Sequence, residues 1–543
     1  MGNKILPNIP AMWYGNPSAV CYIGAVMRLM EYIGDPVEQD ELIALCGVGL
    51  SFPWGYDSCC DEVSLLPEIP ARTFDAFGYE SEHISGDAVN DKAACFEKIK
   101  QSIDRNRPVI GFGITTKMPM SCLIVGYDDN GLYTRSCWAP NGEKYDSTEC
   151  CQSEEYFYSA DWHENCSGLL IVGEKTGERV AGVAAYERII TWARNFRWER
   201  NHRGYEYPIV ADGKEIYVNG HAFEKMSEWL RDDEQWQNPN GGGKEQYLKQ
   251  CGILLFGYYR NNLYSYLKKL EAQNPGMVHP PVFTALELIN KSIPGAHTSD
   301  LWLHEAVDPV MKDFSALSDR VLRDKLDGYV QLLGGFDNSV QWTLFMPDVV
   351  KDQTKDFKVE NFEYRTCPAM RFIGAEGEEY SDVERRGEIF RVLDGMSEYK
   401  SGFDHDILFM HHYGLSADNP WHGVWGRFMT ADAPVPEGFL SFDFVPHDVE
   451  EANVPYYFPG IGPPYDSRCA FATFSGDAEV LHKREGYDSD AMYDVTRNII
   501  LGDGVNIPYP ERYWTAEVFF DGCDKPGSGY LFSVGDWQTT LQG

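Results

Sequence analysis

Long apolar runs are absent from this chain. No stretch approaches the roughly 18 apolar residues that a membrane-spanning helix needs. The first residues, MGNKILPNIPAMWYGNP, contain no apolar core of the kind found in secretory signal peptides. We therefore expect a cytoplasmic protein without a membrane partner.

Basic residues are scarce as well. The 543 residues include 47 Lys and Arg against 83 Asp and Glu, which gives a formal net charge of -36. Such a charge repels nucleic-acid phosphates, and no pair of short helices leads into a basic recognition helix. We expect no direct nucleic-acid binding. The charge favours a cationic or neutral partner, although an acidic surface can also serve solubility alone.

Metal-binding patterns are missing too. The 14 cysteines include no CxxC spacing, so a zinc knuckle is not indicated. Two vicinal Cys-Cys pairs, in the expected compartment, favour reduced thiols over disulfides. The adjacent His411 and His412 would point to opposite faces of a strand. We expect no metal and no cofactor.

The sequence pattern divides the chain into three parts, and a hydrophobic content of 43% is enough for several cores. Residues 1–177 begin with a helix and continue with strands, including the hairpin signal SCLIVGYDDNGLYTRSCW. Residues 178–350 have helical periods and predict a helical connector domain. A linker is expected at 346–368, and residues 355–543 alternate strands and helices. The predicted fold class is a multidomain α+β protein.

An internal repeat marks the helical connector. AYERIITW (185–192) and AFEKMSEW (222–229) share one pattern of Ala, aromatic, Glu, basic residue and Trp. In each copy the alanine, the central aliphatic residue and the tryptophan fall on one helix face. We expect Trp192 and Trp229 to anchor the core.

The order strand, helix, strand, strand occurs twice in the last part of the chain. Two such units predict a pseudo-twofold domain with a cleft between its halves. The predicted elements are strand 369–378, helix 382–399 and strands 406–415 and 423–431, followed by strand 469–476, helix 489–501 and strands 512–520 and 529–537.

Three motifs occur around this doubled unit: PAMRFIGA (368–375), PVPEGF (434–439) and WTAEVFFDG (514–522). With them, residues 355–543 resemble the GyrI-like, or AraC-type, effector-binding domain. The resemblance implies a pocket between the halves that binds amphipathic, often cationic compounds. It also implies a buried glutamate that faces the ligand on the last long strand, and in this sequence that residue is Glu517.

The residues around Glu517 support such a site independently. Strand residues alternate between faces, so Thr515, Glu517 and Phe519 share one side of an apolar strand. A buried carboxylate is costly unless it is paired, and a ligand cation stacked on aromatic rings would compensate it. Alternatively, Glu517 pairs with an internal arginine or faces solvent. The candidate ligand-binding residues are Glu517, Tyr413, Trp421, Trp425, Phe474 and Phe519.

A cysteine heads an apolar helical run near the N-terminus. The stretches AVCYIGAVMRLMEYIG, RPVIGFGI and MPMSCLIVGYDDNG resemble the N-terminal domain of butirosin biosynthesis protein H and related papain-like proteins. The resemblance covers residues 1–177 and implies a catalytic Cys21 with a histidine six residues before the Gly of GYDD. Met120 stands at that position and cannot take a proton from a thiol. We therefore predict a pseudoenzyme domain in which Cys21 is packed, with His83 and His163 as the remaining histidines.

Together these patterns predict a protein that senses or sequesters a small amphipathic compound, aromatic or cationic in character. The alternative is a hydrolase or acyltransferase that acts on a small, natural-product-like substrate. Its chemistry would come from Glu517 with Tyr413, or from Cys21. The insertion at 446–467 is expected either to cover the pocket or to pack against the helical part.

Overall fold

The computed structural model is a mixed α+β structure with antiparallel sheets, which confirms the predicted α+β class. Every helix in the part of the chain that it describes is too short or too polar to cross a membrane. The structure describes residues 3–12, 17–18, 20–55, 66, 68–115, 120–137, 156–196, 209–211, 214–293, 309–310, 312–353, 357–376, 383–403, 405–411, 422–446, 468–476, 491–503, 514–520, 528–533 and 537–542.

The first of two units comprises residues 1–278, 293–297 and 309–318. Its strands are β1 (Lys4–Ile5), β2 (Pro53–Trp54), β3 (Tyr79–Ser85), β4 (Val109–Phe112), β5 (Ser121–Tyr127), β6 (Leu132–Arg135), β7 (Phe157–Ser159), β8 (Gly168–Lys175), β9 (Ile209–Ala211) and β10 (Lys214–Val218). The larger sheet is antiparallel, in the order β3-β8-β4-β5-β6-β7 with β1 beside β5, and the smaller sheet has the order β2-β10-β9. The division into domains at 177 and 350 stays a prediction.

The predicted hairpin of this unit is confirmed. Strands β5 and β6 pair antiparallel, and the amide of Asp128 donates to the carbonyl of Gly131 at 3.1 Å. The Asp128 carboxylate in turn accepts the amides of Asn130 and Gly131 at 2.8 and 2.9 Å. The side chain of the first turn residue therefore fixes the turn that the sequence indicates.

Helices surround these sheets. They are α1 (Cys21–Tyr32), α2 (Gln39–Leu45), α3 (Glu68–Thr73), α4 (Lys92–Asp104), α5 (Gly182–Asn195), α6 (Gly220–Arg231) and a π-helix (Gln246–Leu254) that continues into α7 (Leu255–Gln273). Trp192 of α5 is fully buried and Trp229 of α6 is nearly so, as the repeat predicts. The Trp192 indole donates to the Leu45 carbonyl at 2.9 Å, and the Trp229 ring centroid lies 4.6 Å from that of Trp236.

The second unit comprises residues 279–292, 298–308 and 319–543. Its helices are α8 (Pro280–Ser292), α9 (Arg320–Gln353), α10 (Val383–Asp394) and α11 (Ala491–Gly502). Its strands are β11 (Phe357–Thr366), β12 (Met370–Glu376), β13 (Asp406–His411), β14 (His422–Thr430), β15 (Leu440–Pro446), β16 (Arg468–Gly476), β17 (Trp514–Phe519), β18 (Ser528–Ser533) and β19 (Trp537–Gln542). They form one antiparallel sheet in the order β11-β16-β18-β17-β13-β14-β12-β15-β19.

The chain order of this unit contains strand, helix, strand, strand twice, as β12-α10-β13-β14 and β16-α11-β17-β18. The predicted linker at 346–368 is wrong, because α9 runs to Gln353 and β11 follows from Phe357. A β-bulge between Val359 and Asn361 resets the alternation of β11. Because of this bulge, the residues of β11 do not alternate regularly between the two faces, and the sequence pattern does not indicate a strand.

The sheet of the second unit curls around an aromatic core. Phe444 of β15 and Trp514 of β17 have ring centroids 5.2 Å apart, although β12, β14 and β13 lie between these strands. A flat sheet would separate the two strands by about 19 Å. We call the side that faces this core the inner face. The opposite side, on which Trp425 packs against residues of α10, is the helix face.

Candidate functional site

Glu517 lies in the middle of β17, on the helix face. It stands opposite Leu408 of β13 and Tyr530 of β18, and its exposed fraction is 0%. Its strand neighbours Thr515 and Phe519 point to the same side, as the alternation predicts. A carboxylate so far from water lowers stability unless other groups compensate its charge.

Trp425 supplies the largest aromatic surface beside this carboxylate. It lies in β14 opposite Leu408, so one strand separates it from β17, and it is 1% exposed. Its ring centroid is 5.5 Å from that of Phe519 at an interplanar angle of 35°, and 6.4 Å from that of Phe390 in an edge-on contact. These rings form an apolar patch that adjoins Glu517.

Of the other three aromatic residues predicted to bind the ligand, Phe474 lies in the described part of the chain and two do not. Phe474 of β16 is buried and stands opposite Ser528, which in turn stands opposite Phe519. The structure thus places Phe474 on the helix face, two strands from Phe519. Tyr413 and Trp421 lie outside the described residues, as do residues 447–467 of the insertion predicted at 446–467.

Helix α10 rests on this patch through one stripe of buried residues. Ile389, Phe390 and Leu393 belong to it, as the sequence pattern indicates, and the fourth member is Arg386. Arg386 is 6% exposed, and its guanidinium carbon lies 5.1 Å from the Trp425 ring centroid. Arg386 was not among the residues predicted from the sequence. Its spacing of three and four residues from Ile389 and Phe390 is the signal that would have found it.

An ion-pair cluster holds the C-terminal end of α10 to the sheet. Arg427 of β14 donates to Asp406 at 3.0 and 2.6 Å and to Asp394, the last residue of α10, at 2.6 Å. Its guanidinium carbon is also 5.2 Å from the Phe390 ring centroid. The pair with Asp406 is largely shielded, because the Arg427 and Asp406 side chains are 12% and 23% exposed, whereas Asp394 is 68% exposed and its pair is a weaker link to the helix end.

Helix α11 brings a second buried arginine to the other side of Glu517. Arg497 is 2% exposed, and its guanidinium carbon lies 4.1 Å from the Trp342 ring centroid. It donates to the Tyr493 hydroxyl at 2.5 Å, and the Tyr493 ring is 6.2 Å from Tyr530, the cross-strand neighbour of Glu517. This arginine was also missed, because the sequence does not show that α9 supplies a tryptophan beside it.

Cys21, the candidate nucleophile in the first unit, is buried. Cys21 is the first residue of α1 and is 1% exposed, and Met120 is buried just before β5. His163 is hydrogen-bonded through Nε2 to the Val89 carbonyl at 2.8 Å. His83 packs edge-on against Phe112, and burial lowers its pKa. Within the described residues, neither His83 nor His163 forms a hydrogen bond with Cys21.

Eight cysteine thiols in the described residues take part in no disulfide. They are Cys21, Cys46, Cys95, Cys122, Cys137, Cys166, Cys367 and Cys469. Burial raises the pKa of Cys46 and of Cys166 to about 12. Within the same residues, no group of three or more His, Cys, Asp or Glu side chains is arranged to hold a metal ion.

The chain matches no protein-family model and no curated protein. The geometry of the helix face is therefore the basis for assigning a function.

Proposed function

We propose that residues 355–543 form a GyrI-like ligand-binding domain, and that the protein senses or sequesters an amphipathic aromatic cation. The observation that carries the proposal is the fully buried Glu517 beside the packed rings of Trp425 and Phe519 on one sheet face. The repeated strand, helix, strand, strand order supports the same domain type.

The chemistry of this face suits a ligand with one charged end and one flat apolar part. A ligand cation next to Glu517 would compensate the buried carboxylate. The rings of Trp425, Phe519 and Phe474 would cover the apolar part of the ligand. Burial of about 200 Å² of aromatic surface at about 25 cal/mol per Å² would contribute roughly 5 kcal/mol before binding costs, which suits micromolar affinity.

For residues 1–177 we propose a papain-like domain without its catalytic base. The support is the buried Cys21 at the start of α1 and the methionine at position 120. Methionine cannot take a proton from a thiol, so the position that the resemblance assigns to the base does not activate Cys21. In this proposal the ligand domain, rather than Cys21, carries the function.

The test is a thermal-shift screen with aromatic cations, neutral aromatics and aromatic anions, followed by mass spectrometry of every compound that binds. We expect cations to raise the melting temperature of the wild type and to lose that effect in Glu517→Gln, which removes the charge and keeps the shape. Glu388→Gln is the matched control, because the side chain of Glu388 lies on the exposed side of α10 and is 53% exposed.

Each outcome bears on the proposal. Cation-selective stabilisation that survives Glu388→Gln but not Glu517→Gln supports it. Compounds recovered as hydrolysis products would replace the sensor with a hydrolase. Binding that is equal in wild type and Glu517→Gln would overturn the assignment of Glu517.

A further inference from the structure

The stripe by which α10 packs on the sheet contains a charge where a helix of this kind normally has an apolar residue. Buried stripe positions recur every three or four residues, and here they are Arg386, Ile389, Phe390 and Leu393. The remaining described positions of α10 are exposed, including Val383 at 59% and Val392 at 42%. An arginine in the stripe with a valine on the solvent side reverses the usual pattern of a helix that packs on a sheet.

The guanidinium of Arg386 has a defined place in the site. Its central carbon lies 5.1 Å from the Trp425 ring centroid, within the range of a cation-π contact. Trp425 is also the ring that stacks with Phe519, the strand neighbour of Glu517. A ligand cation that uses Trp425 in the same way must take the position that Arg386 holds.

We propose that Arg386 acts as an internal substitute for the ligand cation, and that the site therefore selects planar, delocalised cations of the amidinium or guanidinium type. This inference rests on the proposed function of the same site. A guanidinium is flat and weakly hydrated and stacks on an indole, whereas an ammonium ion is compact and strongly hydrated. A face that accommodates the guanidinium of Arg386 therefore suits a ligand of the same shape.

Displacement of Arg386 also explains how a buried site admits a ligand. The end of α10 near Arg386 contacts the sheet through this side chain, whereas Asp394 at the other end is bound by Arg427 at 2.6 Å. We expect the Arg386 end to lift while the Asp394 end stays attached. The cost of lifting includes the lost contact between Arg386 and Trp425, so removal of Arg386 should strengthen ligand binding.

The experiment is calorimetric titration of the full chain with three biphenyl probes of matched size: 4-phenylbenzamidinium, 4-phenylbenzylammonium and neutral 4-phenylbenzamide. The wild type should bind the amidinium at least tenfold more tightly than the ammonium, and the neutral amide more weakly than either. Arg386→Met, which removes the charge and keeps an apolar chain, should strengthen amidinium binding at least tenfold. Arg386→Lys, which places the less favoured ammonium on Trp425, should strengthen amidinium binding by less than Arg386→Met does.

Two further variants complete the design. Arg385→Met is the matched control, because Arg385 is the exposed neighbour that pairs with Glu388 at 3.3 Å, and its affinity should stay within twofold. Glu517→Gln should weaken amidinium binding roughly 10- to 100-fold, with or without Arg386→Met. Thermal melts of the unliganded variants verify that each one folds.

The possible results distinguish a failure of this inference from a failure of the proposed function. If amidinium binding depends on Glu517 but is unchanged or weaker in Arg386→Met, Arg386 is not a competitor and the inference is overturned while the proposed function stands. An ammonium probe that binds as tightly as the amidinium would overturn the selectivity. If no probe shows binding that depends on Glu517, the proposed function and the inference fail together.

Discussion

At the scale of single residues, the charged side chains that matter most in the second unit are buried next to aromatic rings. Arg386 stacks on Trp425, Arg497 on Trp342, and Glu517 lies on the sheet between these two pairs. Burial of a charge lowers stability unless specific groups compensate it. Buried charges are therefore expected at functional sites, where they lower the stability of the fold but contribute to ligand recognition.

Asp35 in the first unit gives a prediction for pH dependence. Burial alone would raise its pKa, but hydrogen bonds from Lys175 and Tyr79 and the charge of Arg179 outweigh burial and lower it. The unfolded chain therefore takes up this proton at higher pH than the folded chain. The stabilisation is complete above the unfolded pKa of about 3.9 and is lost as the pH falls through the lower folded value.

We therefore expect Asp35→Asn to lower the free energy of unfolding at pH 7 by about 1 kcal/mol. Below the unfolded pKa the difference from wild type should shrink, and it should vanish once the pH has fallen through the lowered folded pKa and the folded carboxyl is protonated. Urea denaturation across pH 2–8 measures both. Glu174→Gln is the control, because Glu174 is 73% exposed and pairs with Arg107 at 3.3 Å. A constant difference at every pH would show that the charge of Asp35 is not responsible.

At the scale of elements, α10 is the helix on which the account depends. Ile389 is 1% exposed within its stripe, whereas Val392 on its outer side is 42% exposed. Ile389→Ala should cost about 2–4 kcal/mol, because it removes buried methyl groups and leaves a cavity. Val392→Ala should stay within about 0.5 kcal/mol of wild type. Chemical denaturation gives both values, and equal costs would mean that α10 does not pack through this stripe.

The sequence predicted most elements of residues 369–537, although β15 was missed despite its regular alternation. The stripe of α10 and the alternation of β17 both follow from side-chain spacing alone. Strand β11 was missed because its bulge interrupts the alternation, and β9 and β10 were missed because each is short and lies in a region of helical periods. Local patterns do not specify such elements.

The part of the site that the sequence predicted follows from the alternation of side chains along β17. Alternation placed Glu517 and Phe519 on one side, and the structure adds Trp425 and Phe474 on the same face. The positions of Arg386 and Arg497 could not be predicted, because they depend on which helix packs over which aromatic ring. That information comes from sheet order, a long-range property that no spacing along the chain contains.

At the scale of the whole molecule, the net charge of -36 acts on any charged ligand before it reaches the site. The field should steer cations inward and is screened by salt, with a Debye length of about 8 Å at physiological ionic strength. We expect the association rate constant of an aromatic cation to fall several-fold between about 20 and 200 mM salt. Stopped-flow fluorescence measures this rate. A neutral ligand of the same shape should show no change, and equal salt dependence of the two would exclude electrostatic steering.

The measurement that tests the central claim most directly is a two-by-two binding comparison by calorimetry. An aromatic cation that binds the protein and its neutral isostere are titrated into wild type and into Glu517→Gln. If Glu517 is the counter-charge of the ligand, the variant weakens cation binding by roughly 10- to 100-fold, the range of about 1.5–3 kcal/mol for a hydrogen bond to a charged group. Binding of the neutral isostere stays the same or improves. Equal losses for the two ligands, or no loss for either, would contradict the account.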